Sequence, residues 1–401
     1  MPQEYALAVL RTYRLVLMFA VRNSVATLDL AALAQWEEHV LEKFEAWDVA
    51  VWSPLTVIAS ALRNSEAVDR DWLALACMTL VEWALKHGAR DSAASLAEAA
   101  ALIAPANPRY AYVAGRMHRD RGRLREAEMW LQRSRRVAVW NDDREAHSIA
   151  LNSLGNLEQL KGRYAEAEEL LLAALRAAKR ARLRERQAAV YHDLLVMAVY
   201  TEKFAKGFEY ARAAFNAYPP NHPALQKLAH DVAYLWFRHG QHSRALLVFQ
   251  ALLPHFEEPD ARLRVLGYAA RACGALGDVE TFHRYRTEAF SIIDSGAVNL
   301  LRANAALELG MGALSLALWG EAEHALKFAL ESAADAGDNE VVVKASDALE
   351  HLRRRDSLDV VRRAAHPSGH RPEDLFAGQL VHALEQHQRG EKVPPVANSV
   401  S

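Results

Sequence analysis

The histidines are the first side chains in this sequence whose type and spacing could do chemistry. His239 and His242 stand three apart in "RHGQH", and His366, His370, His382 and His387 gather near the C-terminus. Imidazoles hold transition metals when further ligands converge on the same point. The first pair falls in a polar turn and the second group in a polar C-terminal stretch, so both read as solvated. Acids are plentiful, but they fall on the solvent faces of helical patterns, and no carboxylate pair stands out for acid–base work. The phosphate loop GxxxxGK[ST], HExxH, GxSxG and the glycine-rich dinucleotide fingerprint are all missing. The expectation is a non-enzymatic chain with no cofactor and no metal.

Cysteine chemistry is equally thin. Cys77 and Cys273 have no CxxC or CxxH companions, which speaks against a disulfide framework or a cysteine zinc site. A reducing, cytoplasmic setting follows as the default. The most apolar N-terminal run, "LVLMFAV" (Leu15–Val21), is bracketed by Arg14 and Arg22 and is too short to span a bilayer.

Arginine is the remaining candidate. Net charge is −2, yet residues 29–100 carry 12 acids and 5 bases, whereas residues 109–186 carry 18 bases and 11 acids. Such asymmetry steers an oppositely charged partner. The densest parts are "RMHRDRGRLREAEMWLQRSRR" (Arg116–Arg136) and "RAAKRARLRER" (Arg176–Arg186). They lack interleaved aromatics and any base-reading module, so nucleic acid would meet phosphate contacts only. Solvated helix faces with i, i+4 ion pairs are expected to explain most of these charges.

These side chains are carried by a repeated element. "GRYAEAEELLLAAL" (Gly162–Leu175) recurs as "GRLREAEMWLQRS" at Gly122, "GQHSRALLVFQAL" at Gly240 and "GARDSAASLAEAA" at Gly88. Weaker copies begin at Glu202, Gly277 and Ala317. Seven turn positions at intervals of 34–40 residues, each joining two helical patterns, indicate a helical solenoid. Just over half of the residues are hydrophobic, carried by Ala and Leu with few Gly and Pro, which favours helix.

The pattern resembles the tetratricopeptide repeat family from about Ala74 to Ala345. "LG" stands seven residues before the turn at Leu154-Gly155, with Ala114-Gly115 and Leu309-Gly310 as counterparts, and Pro105 and Pro219 follow second helices. The fold class expected is all-α, a right-handed solenoid of stacked antiparallel helix pairs with helical caps. Gly115, Gly155 and Gly310 would let the partner helix approach, and Ala93, Ala127, Ala167, Ala245 and Ala322 would fill the crossing point. Leu131, Leu171 and Phe249 would close the layer with the next repeat. Gly207 and Phe282 depart from the alanine column, and Glu202 and Ala317 from the turn glycine.

The resemblance also implies where a partner would sit, because first-helix residues in that family line a concave surface. By register, the inward positions are Tyr112, Arg116 and Arg119; Asn152, Asn156 and Gln159; His192 and Tyr200; His230, Tyr234 and Arg238; and Arg264 and Arg271. Asn and Gln pair with both groups of a peptide backbone, Arg holds a carboxylate bidentately, and Tyr gives flat contact area. A scaffold that captures a protein or peptide segment, acidic by preference, is the leading reading. Alternatives are a peptide-responsive sensor module, nucleic-acid binding through residues 109–186, and self-association.

Outside the array, residues 1–70 read as a helical cap or degenerate repeats, and residues 71–345 as the solenoid. "NEVVVKASDALEHLRRR" reads as a closing helix, with residues 346–365 assigned to capping. Residues 366–401 read as a linker, a short amphipathic helix and a disordered tail. Phe376, Leu380 and Leu384 form its i, i+4 stripe, which would dock into a groove of its own chain or a neighbour's.

Overall fold

The computed structural model describes residues 11–17, 30–38, 49–63, 69–296, 301–354 and 371–390. His366, His370, the linker and the tail therefore lie outside the described residues, as does much of residues 1–70. Every described element is helical. Helices α1 (residues 11–17), α2 (Leu30–Trp36) and α3 (Val49–Arg63) precede the repeats. The seven pairs that follow are α4 (Arg70–Lys86) with α5 (Arg90–Ile103), α6 (Pro108–Arg119) with α7 (Leu124–Trp140), α8 (Arg144–Leu160) with α9 (Tyr164–Arg180), α10 (Arg184–Tyr200) with α11 (Phe204–Ala217), α12 (Ala224–Arg238) with α13 (His242–Leu252), α14 (Pro259–Leu276) with α15 (Val279–Asp294), and α16 (Arg302–Ser315) with α17 (Trp319–Ala336). Then come α18 (Asn339–Arg354) and α19 (Arg371–Gly390). The chain divides into two compact units, Met1–Asp193 and Leu194–Ser401.

One hydrogen-bonded turn, present inside all seven pairs, sets their register. In each, the residue after the turn position donates its N–H to the carbonyl five residues back: Ala89 to Ala84, Arg123 to His118, Arg163 to Glu158, Lys203 to Ala198, Gln241 to Trp236, Asp278 to Cys273 and Leu318 to Ala313. This closes the helix end as a Schellman motif and requires a left-handed residue between. Gly162 fills that place with φ of 75°, while Glu202 and Ala317 adopt 55° and 57° despite their side chains. Packing at the crossing below holds those two in a conformation that is costly for an L-residue.

That crossing is where the small residues act. A Cβ on Gly155 would lie 2.8 Å from Leu171 Cγ, and on Gly310 it would lie 2.6 Å from Leu326 Cγ. Leu131 meets Gly115 in the same way, so Leu131 and Leu171 pack inside their own helix pair. This corrects the expectation that they close the layer with the following repeat. The crossing alanines Ala93, Ala127, Ala167, Ala245 and Ala322 are fully buried. Phe282, which takes the alanine column in α15, is buried beside Gly312, where an added Cβ would stand 3.0 Å from its ring. Gly207 leaves room for Leu235 in the same sense.

In the first unit, α1–α3 share one core with the first repeat, through Val16, Trp36, Leu55, Leu73 and Leu96 among others. In the second unit, α14 and α16 approach so closely that a Cβ on Gly274 would meet the Gly312 carbonyl oxygen at 2.5 Å. The closing helix is α18, which begins at Asn339 because Gly337 turns left-handed and the Asp338 carboxylate accepts the Val341 N–H at 3.2 Å. It ends at Arg354, and residues 355–365 lie outside the described residues. The amphipathic helix α19 packs on α12 and α13 of its own unit. Phe376, Leu380 and Leu384 are buried there, with the Phe376 ring edge-on to Phe215 and Trp236. Arg244 ties its first turn, reaching Glu373 at 3.0 Å and Asp374 at 2.6 Å.

Candidate functional site

Five segments of the second unit converge on a cavity of about 660 Å³. Helix periodicity selects its lining. Tyr234 and Arg238 stand one turn apart on α12, and Arg271 and Ala275 on α14. Leu307, Met311 and Ser315 follow at i, i+4 and i+8 on α16, and Lys344, Ala348 and His351 at i, i+4 and i+7 on α18. The α12–α13 turn adds Gly240 and His242. Apolar and aromatic surface comes from Phe237, Leu307 and Met311, and charges of both signs come from Arg238, Arg271, Lys344, Glu308 and Asp347.

Close approach of α14 and α16 brings Arg271 Nη1 to within 2.6 Å of Glu308 Oε2. The same guanidinium lies 5.3 Å from the centre of the Phe237 ring. Arg238 donates to the Tyr234 hydroxyl and to Glu202, each at 3.4 Å. The phenol raises the Arg238 guanidinium further above its ordinary range. Behind Tyr234 stands Tyr268, their rings 5.0 Å apart, and burial pushes the Tyr268 phenol far up. His242 is the opposite case: burial first and Arg271 second lower its pKa, and its Nδ1 is buried without a hydrogen-bond partner among the described residues. It packs edge-on to Phe237.

Three of the expected residues, Tyr234, Arg238 and Arg271, thus share one cavity. His230 stands behind them, paired with Asp231 at 3.0 Å and set against Phe249 and Tyr268. Arg264 and Tyr200 are exposed. Sequence reasoning missed His242 as a lining residue and all of Glu308, Met311, Lys344, Asp347 and His351. Only the last three come from outside the repeats, and the i, i+3, i+4, i+7 run on α18 was the available signal for them.

In the first unit the expected residues are engaged with one another or with neighbours. Asn152 and Asn156 both donate to Asp193 Oδ2, at 2.6 and 3.0 Å, and Asn152 Oδ1 is buried with no hydrogen-bond partner among the described residues. Both amide donors thus meet Asp193 within the chain, at positions expected to face a bound peptide backbone. Arg116 lies 5.9 Å from the Tyr112 ring centre, and Arg119 binds Asp120 at 2.9 Å. Gln159 is half-buried. His192 is 5% exposed, so it is packed into the protein where a surface position was expected.

Among the described residues no group of three or more His, Cys, Asp or Glu stands at metal-binding distances. His239 packs on Phe204 and Phe208. Both cysteines are buried, with thiols pushed up to about 12 by desolvation. No helix of the described residues is long and apolar enough to cross a membrane. In the arginine-rich stretches Arg119, Arg121 and Arg186 form ion pairs, though none at the expected i, i+4 spacing, whereas Arg135, Arg136, Arg176 and Arg180 form none among the described residues. Their i±3 and i±4 neighbours include no acid, because the glutamates of α7 and α9 sit in the opposite halves of those helices.

Comparison with known proteins agrees with this repeat geometry. Residues 109–180, which run from α6 through α9, match the family described as tetratricopeptide repeat. No curated protein matches the chain. Among solved structures it is similar to the apo form of RapI, at 11% identity over 69% of this chain and 98% of that one, with a TM-score of 0.49. It is also similar to the Rap conjugation gene regulator of the plasmid pLS20 in complex with the Phr* peptide, at 13% identity over 89% and 99% of the two chains and a TM-score of 0.46. BtubC (BKLC) from P. vanneervenii shares 16% identity over 57% of this chain and 92% of its own, with a TM-score of 0.43. The chain thus carries tetratricopeptide repeats over residues 109–180.

Proposed function

We propose that this chain is a non-enzymatic scaffold that captures a segment of a protein or peptide partner in the second-unit cavity. The observation that carries this reading is the convergence of Tyr234, Arg238 and Arg271 with Phe237 and Met311 on one opening of about 660 Å³. A volume of that size accommodates one or two side chains of a ligand and little more. The aromatic and thioether surface would take an apolar side chain, and Met adapts to several shapes. Arg238 and Arg271 would hold a carboxylate, while Glu308 and Asp347 would receive backbone or side-chain N–H groups. Each arginine already rests on an acid, so an incoming carboxylate would exchange partners with little loss of satisfied charge.

Selection from a random peptide display library on the immobilised full chain tests the proposal. Enriched sequences should share an apolar anchor next to an acidic group. Filling the cavity with Met311→Trp should abolish the enrichment, and Arg238→Glu should remove the acidic preference. Enrichment that is indifferent to both substitutions refutes the assignment.

A further inference from the structure

A second depression, of about 470 Å³, lies in the first unit between α8 and α9. Its lining is Arg144, His147, Arg176 and Arg180 over a floor of Leu151, Ala173 and Ala177. Arg135 of α7 stands close enough to His147 to disfavour the charged imidazole. Among the described residues no acid lines the depression, and the only ion pair its lining makes is the long, exposed contact of 3.6 Å from Arg144 to Asp142. Arg176 and Arg180 are one helical turn apart, a like-charge spacing that costs a helix some stability. Cations in the last turn of α9 complement its macrodipole, which accounts for Lys179 and Arg180. It leaves unexplained why Arg176, Arg144 and His147 face the same hollow.

We infer that this depression is an anion site for a compact phosphate compound carrying two or more phosphate groups. Three exposed arginines line this one depression, more positive charge than a single carboxylate balances, and phosphate oxygens accept bidentate pairs from guanidiniums. The floor is aliphatic, with no aromatic side chain on which a base would stack, which favours a small phosphate compound over a nucleic-acid strand. The site is independent of peptide capture in the second unit, so either assignment stands or falls alone.

Calorimetric titration of the full chain with pyrophosphate at low salt tests the site. The double variant Arg176→Ala/Arg180→Ala should weaken binding on the order of tenfold or more. Arg123→Ala/Arg125→Ala removes the same charge at the start of α7, away from the depression, and should leave it nearly unchanged. A readout on the unaltered protein comes from the His147 imidazole, which is faced by Arg135 of α7, Arg144 of its own helix, and Arg176 and Arg180 of α9. Burial and Arg135 hold its pKa below the ordinary histidine value, and a bound anion should raise it in proton NMR titrations. No saturable pyrophosphate binding, equal weakening in the two double variants, or an unmoved His147 overturns the inference. Binding of oligouridylate through Arg176 and Arg180 in place of pyrophosphate overturns it too, in favour of a nucleic-acid backbone.

Discussion

Arg271 is held between the Glu308 carboxylate, 2.6 Å from its Nη1, and the face of Phe237, 5.3 Å away. Three helices are joined at this point, because Phe237 belongs to α12, Arg271 to α14 and Glu308 to α16. The contact also fixes the charge pattern of the cavity. Glu308→Ala should cost about 1 kcal/mol in urea unfolding, below the usual value for a charged hydrogen bond because Arg271 retains access to water. Arg271→Lys should lose the flat contact with Phe237 while keeping the charge, and its effect on ligand selection should exceed its effect on stability.

The turn register gives a prediction of opposite sign at neighbouring positions. Ala317→Gly and Glu202→Gly should each raise stability by about 1 kcal/mol, because glycine enters the left-handed region without the Cβ penalty. Gly155→Ala should lower it by about 1–3 kcal/mol, since the added methyl meets Leu171 at 2.8 Å and overpacks the crossing. Thermal unfolding of the three variants separates these effects.

Helix α19 depends on one aromatic side chain for its seat. Phe376→Ala should weaken its docking by about 3 kcal/mol, through loss of contacts with Phe215 and Trp236. Hydrogen exchange across residues 371–390 should accelerate markedly while α4–α9 keep their protection.

Asp278 provides a pH-dependent test. Its carboxylate accepts the Thr281 N–H at 3.1 Å as the cap of α15, and hydrogen bonding from the Thr281 side chain, followed by this N–H, holds its pKa below the usual aspartate value. A depressed carboxylate stabilises the fold above the unfolded pKa, and the contribution is lost as pH falls through the lower folded value. Asp278→Ala should therefore cost about 1 kcal/mol at neutral pH and almost nothing once pH has fallen through the lowered folded pKa, as read from unfolding midpoints.

The fold was legible because its determinants are local and periodic. Turn position, crossing residue and the small residue seven before the turn recur in one register, and the left-handed backbone appears even where Glu202 and Ala317 replaced glycine. The site was legible in part for the same reason: Tyr234, Arg238 and Arg271 fell out of that register. Glu308 and Met311 depend on how closely α14 meets α16, which Gly274 and Gly312 decide through tertiary contact. Lys344, Asp347 and His351 come from a helix beyond the last repeat. The commitment of Asn152 and Asn156 to Asp193 was hidden because residue types disclose hydrogen-bonding capacity, and only packing discloses which partner uses it.

The most direct test of the central claim is the affinity of the best display-selected peptide for the full chain and for Met311→Trp, measured by fluorescence polarisation with melting temperatures recorded in parallel. The account predicts saturable binding to the full chain and a loss on the order of a hundredfold in the variant, because a filled cavity excludes the anchor side chain at a cost of a few kcal/mol. Equal affinity of the two proteins at equal stability would contradict it.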